Sequence, residues 1–196
     1  MQTLKAGLAI AATLIAIVNV AAAQKKAGLS DAQYTAKALS AAPASIAKDA
    51  TVVRMDTAGK MKTLREGNNG YTCMIAGGNK MCADANSMEF FGAWMNHQTP
   101  PDKLGLTYML AGDDGASNTD PNATGKSADN HWVVTGPHIM VVGPGSKSLG
   151  LTEAPDADPT KPYMMWAGTP YEHAMIPVAA PRPKAKPAAM AKPETK

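Results

Sequence analysis

Hydrophobic residues in this 196-residue chain fall into short runs that glycine, proline, asparagine and aspartate separate. The runs at 51–55 and 60–65 flank Asp56-Thr57-Ala58-Gly59, and a short loop ending in glycine between two such runs predicts a β-hairpin. Later runs of similar length predict further strands. They lie at 71–74, 104–111, 131–135, 138–142, 163–166 and 174–178.

One segment has the pattern of a helix that packs by one side. Its apolar side chains recur every three to four residues and form a stripe of Met88, Phe90, Phe91, Trp94 and Met95. Asn86 is the predicted N-cap because Glu89 follows three residues later, and Pro100-Pro101 follow the segment. We therefore expect an α+β fold in which one main helix, about 84–97, packs on a small, mainly antiparallel sheet.

A second helical pattern precedes the strands, in residues 24–43. Ser30 with Gln33 three residues later predicts a capped start, and Pro43 predicts the end. Because the apolar side of this segment is mostly alanine, we expect a leader helix or linker that docks weakly or not at all. The expected folded unit is then one domain, residues 44–179.

The first 23 residues have the pattern of a secretory signal peptide. Lys5 precedes an apolar run from Gly7 to Val20, and Ala21-Ala22-Ala23 supply the small residues of a cleavage site. We expect cleavage near Ala23–Gln24 and a mature protein in the periplasm or outside the cell. No transmembrane segment is expected in that mature chain.

Residues 180–196 contain four prolines and five basic residues against one acid, which predicts a disordered tail. Without this tail and the signal peptide, the net charge of +3 becomes −2 for residues 24–179. Binding of nucleic acid is therefore not expected, because phosphate recognition needs clustered Lys and Arg.

Cys73 and Cys82 are the two cysteines of the chain. In an exported protein the expected outcome is a disulfide bond, and the glycines of the intervening segment allow it to fold back. A redox-active pair is usually spaced Cys-x-x-Cys, which this pair is not. The alternative is a soft-metal site that uses both thiolates with Met74 or Met81.

Two segments contain His-x-Met, namely His138-Ile139-Met140 and His173-Ala174-Met175. On a strand, residues two apart point to the same side, so each segment presents an imidazole and a thioether together. Paired across a sheet, they predict a His₂Met₂ site suited to copper. Further candidate ligands are Met95, His97, Met164 and Met165. The alternative is that methionine fills the core in place of larger hydrophobic residues and that both histidines are structural.

The longest irregular segment, 112–130, is rich in Asp and Asn. Its candidate oxygen ligands for calcium are Asp113, Asp114, Asn118, Asp120 and Asn122. No EF-hand spacing fits, however, and Asx residues that bond their own backbone explain the same composition.

Common catalytic motifs are missing from the sequence. There is no Gly-x-Ser-x-Gly, no His-Glu-x-x-His, no phosphate-binding loop and no Cys-x-x-Cys-His. Glu172-His173 with a distant serine remains a candidate for a hydrolase relay.

Three strings of the sequence resemble a group of small exported proteins of Gram-negative bacteria. They are Tyr-Met-Leu-Ala-Gly-Asp at 108–113, Thr-Gly-Pro-His-Ile-Met-Val-Val-Gly at 135–143 and Ala-Gly-Thr-Pro-Tyr-Glu-His-Ala-Met-Ile-Pro-Val at 167–178. The resemblance implies export and a single domain, and it implies no reaction or ligand.

These patterns together favour a non-enzymatic periplasmic domain that binds something small or packs on another envelope component. A copper-binding protein that uses the His/Met residues is the alternative. A hydrolase with a site that the sequence does not reveal is the third hypothesis.

Overall fold

The computed structural model describes residues 28–57 and 59–178. The predicted signal peptide with its cleavage site, and the predicted tail, lie outside these residues. Three α-helices are described, α1 (Asp31–Leu39), α2 (Ala44–Ala47) and α3 (Ala85–Met95), with a 3₁₀ turn at Pro144–Leu149. The strands are β1 (Thr51–Met55), β2 (Met61–Arg65), β3 (Tyr71–Ala76), β4 (Asn79–Asp84), β5 (Gly105–Met109), β6 (Ala116–Ser117), β7 (Trp132–Val133), β8 (His138–Val142), β9 (Tyr163–Met165) and β10 (His173–Pro177).

Eight of these strands form one sheet in the order β2-β1-β3-β4-β5-β8-β10-β9. The pairing of β1 with β3 is parallel, and the other pairings in this sheet are antiparallel. The prediction of a mixed, mainly antiparallel fold is therefore confirmed, but the sheet is larger than the small one expected. Strand β4 was not predicted, because its sequence Asn-Lys-Met-Cys-Ala-Asp lacks the β-branched and aromatic residues that favour strands.

Cross-strand partners share a side of the sheet, so the register assigns each residue to one of two faces. One of them, here called the methionine face, carries most of the strand methionines. They are Met55, Met61, Met74, Met81, Met109, Met140, Met165 and Met175. Helix α3 packs on this face through Phe90, and α1 packs on the opposite face.

Helix α1 begins with the predicted capping box of Ser30 and Gln33. The expectation of weak docking is wrong, because Tyr34 and Ala38 are buried against β3 and β4. The Tyr34 hydroxyl accepts a hydrogen bond of 2.9 Å from the Ile75 amide and donates one of 3.3 Å to its carbonyl. The small side chain of Ala38 lets α1 approach the sheet closely, and Tyr34 holds the helix there through its ring and its hydroxyl.

Helix α3 occupies the predicted segment but begins at a different cap. The Asp84 carboxylate accepts hydrogen bonds from the amides of Ser87, at 2.8 Å, and Leu106, at 2.9 Å. Asn86 instead donates to the Leu104 carbonyl. Asp84, the last residue of β4, thus bonds both the start of α3 and β5. The local capping pattern did not reveal this double role.

Cys73 and Cys82 are directly opposite each other on β3 and β4 and are fully buried beneath α1. Their sulfur atoms are 2.04 Å apart, which is a disulfide distance. Bonded sulfurs leave no thiolate for the alternative soft-metal site.

We predict that the Cys73→Ala/Cys82→Ala variant loses about 2 to 3 kcal/mol of unfolding free energy, because the short loop no longer restricts the unfolded chain. Urea unfolding of variant and wild type measures this loss. Thiol labelling of denatured, unreduced wild type is the accompanying control, and complete labelling would contradict the disulfide.

Candidate functional site

A cavity of about 400 Å³ lies against the methionine face, and we call it the methionine cavity. Its strand side is lined by Met55, Met81, Met109, Met140, Met165 and Met175. Phe91 and Trp94 of α3 and Trp166 after β9 supply aromatic walls. Met95 also lines the cavity and is half exposed, so the cavity reaches solvent on that side.

The four predicted metal ligands all line this cavity. Strands β8 and β10 are antiparallel neighbours in which Met140 is directly opposite Met175. His138 is opposite Pro177, and His173 is opposite Val142. The His-x-Met segments therefore share one side of the sheet, as predicted, with the methionine pair central and one histidine towards each end.

The two histidines are four residues apart along this ladder, which is about 13 Å of strand. A single ion is consequently better placed to meet the methionine pair and one imidazole than both imidazoles. Of the further candidates, Met95 and Met165 line the cavity. Met164 faces the opposite side of β9, and His97 is an exposed residue in the turn that follows α3.

Each imidazole is held by a backbone carbonyl two residues before it. Nδ1 of His138 is 2.7 Å from the Gly136 oxygen, and Nδ1 of His173 is 2.9 Å from the Tyr171 oxygen. Because a carbonyl only accepts, Nδ1 carries the proton and Nε2 keeps its lone pair. Burial lowers the pKa of His138 and lowers the pKa of His173 to about 4, so both rings are neutral at pH 7.

Asp113 stands beside His138 with its side chain only 10% exposed. Its Oδ1 accepts hydrogen bonds from the amides of Gly115, at 3.0 Å, and Thr135, at 2.9 Å. Its Oδ2 lies 3.9 Å from Nε2 of His138, and this nitrogen has no hydrogen-bond partner among the described residues. Burial raises the pKa of Asp113, since the carboxylate is largely removed from water.

Trp166 forms an aromatic wall in a strained backbone conformation, with φ of 57°. Its indole nitrogen donates a hydrogen bond of 2.8 Å to the Ser117 carbonyl. The ring lies 5.2 Å from the Trp94 ring and 4.9 Å from the His173 ring, between centroids. Trp166 was missed as a site residue because it was predicted only as the end of a strand. Asp113 was considered only as a candidate calcium ligand, and its position beside His138 was not predicted.

The Asp/Asn-rich segment 112–130 forms part of the cavity wall and contains β6, which pairs with β7. Asp120 accepts from the Asn122 amide, and the Asn118 side chain donates to the carbonyls of Ala154 and Pro155. The Asp120 bond is the local kind that the Asx explanation expects, whereas the Asn118 bonds join the segment to a distant part of the chain. Within the described part of the chain, no three His, Cys, Asp or Glu residues are grouped to hold a metal ion.

The predicted hydrolase relay is not assembled in the described residues. The Glu172 carboxylate accepts from the Gly168 amide and lies 3.6 Å from the Lys147 ammonium. His173 is bonded to a carbonyl through Nδ1 instead of to this carboxylate. Among the described residues that line the cavity, Ser117 is the one serine, and its hydroxyl donates to the Asn130 carbonyl.

No protein-family model matches this chain, and no curated protein or solved structure matches it either. Across residues 28–57 and 59–178, no helix combines the length and apolar character needed to cross a membrane.

The lowered pKa of His173 predicts acid sensitivity. The unfolded chain binds a proton near pH 6.5, whereas the folded protein resists protonation until about pH 4. Unfolding free energy should therefore fall as pH decreases through this window, and His173 should account for about 3 kcal/mol of the loss. His138 adds a loss of the same sign, and the raised pKa of Asp113 opposes it.

Urea unfolding of the His173→Gln variant at pH 7 and pH 4.5 measures the contribution. The variant should show a smaller loss between the two pH values than wild type. His97→Asn, which removes an exposed imidazole, should keep the wild-type loss. An unchanged loss in His173→Gln would contradict the assignment.

Proposed function

We propose that this protein is an exported, non-enzymatic binding domain that takes a small, largely apolar ligand into the methionine cavity. The observation that carries the proposal is a largely apolar cavity of about 400 Å³ whose lining includes a close polar pair, Asp113 and His138. Ligand sites in proteins have this size and this balance of apolar walls and few convergent polar groups.

The walls suit binding more than catalysis. Thioether side chains have several rotatable bonds and adapt to the shape of a ligand, while the Trp94 and Trp166 rings give a firm surface. A His–carboxylate relay needs the second ring nitrogen free for the nucleophile. In His138 and His173 Nε2 is that second nitrogen, but a backbone carbonyl and not a carboxylate accepts from Nδ1, so neither ring has the orienting carboxylate of such a relay.

We propose that the protein is exported and performs this function in the periplasm. A buried disulfide-distance cysteine pair suits an oxidising compartment, and the N-terminal pattern of the sequence supports secretion. We therefore expect the protein to bind its ligand in the periplasm.

Fluorescence titration with N-phenyl-1-naphthylamine, a neutral apolar dye, tests the proposal. We expect saturable binding to wild type with a blue-shifted emission. Ala116→Leu adds bulk to the cavity wall and should weaken binding at least tenfold, because it removes space that the dye needs.

Ala154→Leu makes the same change at an exposed position and is the matched control. It should bind the dye as wild type does. Absence of dye binding to wild type, or equal binding by both variants, would contradict a ligand site in this cavity.

Copper(I) is the second candidate ligand, favoured by one specific arrangement. Met140 and Met175 are direct cross-strand partners, and His173 follows on the same side with its Nε2 lone pair available. Thioether and imidazole ligands together suit Cu(I) in an exported protein. Since the pKa of His173 is lowered to about 4, this imidazole remains a ligand in mild acid.

Competition with a Cu(I) chelator tests this candidate. Met140→Leu/Met175→Leu preserves apolar volume but removes both thioethers, and it should weaken Cu(I) binding at least tenfold while leaving weak Zn²⁺ binding unchanged. Met164→Leu is the control, because this buried methionine faces the other side of the sheet. Equal competition by wild type and the double variant would exclude the copper site.

A further inference from the structure

Among the described residues that line the methionine cavity, the charged groups are all negative. Asp113 and Asp120 supply carboxylates, and the two histidines are neutral. No lysine or arginine is among the described residues that line it. A ligand that carries negative charge would meet carboxylates without a compensating cation, whereas a positive charge would be attracted.

Hydrogen-bond chemistry narrows the choice further. Oδ1 of Asp113 is occupied by two backbone amides, which leaves Oδ2 for other partners. Nε2 of His138, on a side chain that is 0% exposed, is also an acceptor, because Nδ1 donates to the Gly136 carbonyl. At 3.9 Å the two atoms are too far apart to bond each other, so two acceptors face one gap.

A group that bridges this gap must donate to both atoms. A nitrogen placed about 2.8 Å from each acceptor fits between atoms at this separation. A hydroxyl group has one proton and can satisfy only one of the two acceptors. A carboxylate or carbonyl adds a third acceptor, and a quaternary ammonium has no proton to give. A protonated primary amine has three N–H protons to donate, and its positive charge complements the Asp113 carboxylate.

The rest of the cavity suits the remainder of such a molecule. The rings of Trp94 and Trp166 attract a cation through their faces and pack against apolar groups. Thioethers from β5, β8 and β10 give a polarisable surface for an aromatic ring. Desolvation of an ammonium is costly, and the buried carboxylate offsets that cost.

We infer that the methionine cavity binds a primary amine attached to an apolar or aromatic group, with its ammonium between Oδ2 of Asp113 and Nε2 of His138. This inference rests on the proposed function and names the chemical class of its ligand. Recognition is by charge and paired donors at one end and by shape and apolar contact at the other.

Isothermal titration calorimetry at pH 7 with four probes of one skeleton tests the inference. The probes are 2-phenylethylamine, its N-trimethylated form, 2-phenylethanol and phenylacetate. We expect the amine to bind at least tenfold more tightly than the alcohol and the quaternary ammonium, and phenylacetate to bind most weakly.

Asp113→Asn is the decisive variant, because it is expected to preserve the local fold. The amide oxygen still accepts from the amides of Gly115 and Thr135, and the new NH₂ group takes the position of Oδ2, so that a donor replaces the charged acceptor 3.9 Å from Nε2 of His138. The variant should lose the preference for amine over alcohol, because the carboxylate that complements the ammonium is gone. Asp129→Asn makes the same change at an exposed carboxylate outside the cavity lining and should keep the preference.

The outcomes separate this inference from the proposed function. Dye binding with equal affinities for amine and alcohol in wild type would overturn the amine assignment and leave the binding cavity intact. An amine preference that persists in Asp113→Asn would also overturn it. Failure of wild type to bind the dye and all four probes would overturn the proposed function itself.

Discussion

The arrangement of the methionine cavity depends on the antiparallel pairing of β8 with β10 in one register. Because side chains alternate along a strand, this register puts Met140 opposite Met175 and turns both histidines to the same side. A shift of one residue in either strand would turn one His-x-Met segment to the other face. The carbonyls of Gly136 and Tyr171 then set each ring so that Nε2 remains an acceptor. Strand pairing thus determines where the histidines and methionines lie. The backbone carbonyls determine which ring nitrogen of each histidine can act as an acceptor.

The two faces of the sheet have different roles. On one face, α1 covers the buried Cys73–Cys82 pair, and its Tyr34 is bonded to the backbone of β3. On the other face, α3 and the 112–130 segment enclose methionines around a space. Crosslinking and tight alanine packing therefore belong to the face without the cavity. The cavity can consequently be lined with adaptable side chains while the sheet beneath it stays in place.

Sequence patterns predicted much of this fold because they are local. The hairpin of β1 and β2, the α1 capping box and the shared side of each His-x-Met segment follow from turn chemistry and a two-residue period. Features that depend on distant contacts were not predictable in this way. Asp84 caps α3 while also bonding β5, and Asp113 gains its role only when folding places it beside His138. Sequence order separates the members of the site, and tertiary packing brings them together.

The methionine lining has a consequence for chemical durability in an oxidising environment. Conversion of a thioether to a sulfoxide makes a flexible apolar side chain polar, and exposure controls how readily this happens. Met95, half exposed where the cavity reaches solvent, is the side chain that peroxide meets first. Met140 and Met175 line the same cavity but are buried. Among the described methionines that line the cavity, we therefore expect Met95 to be oxidised before the buried ones.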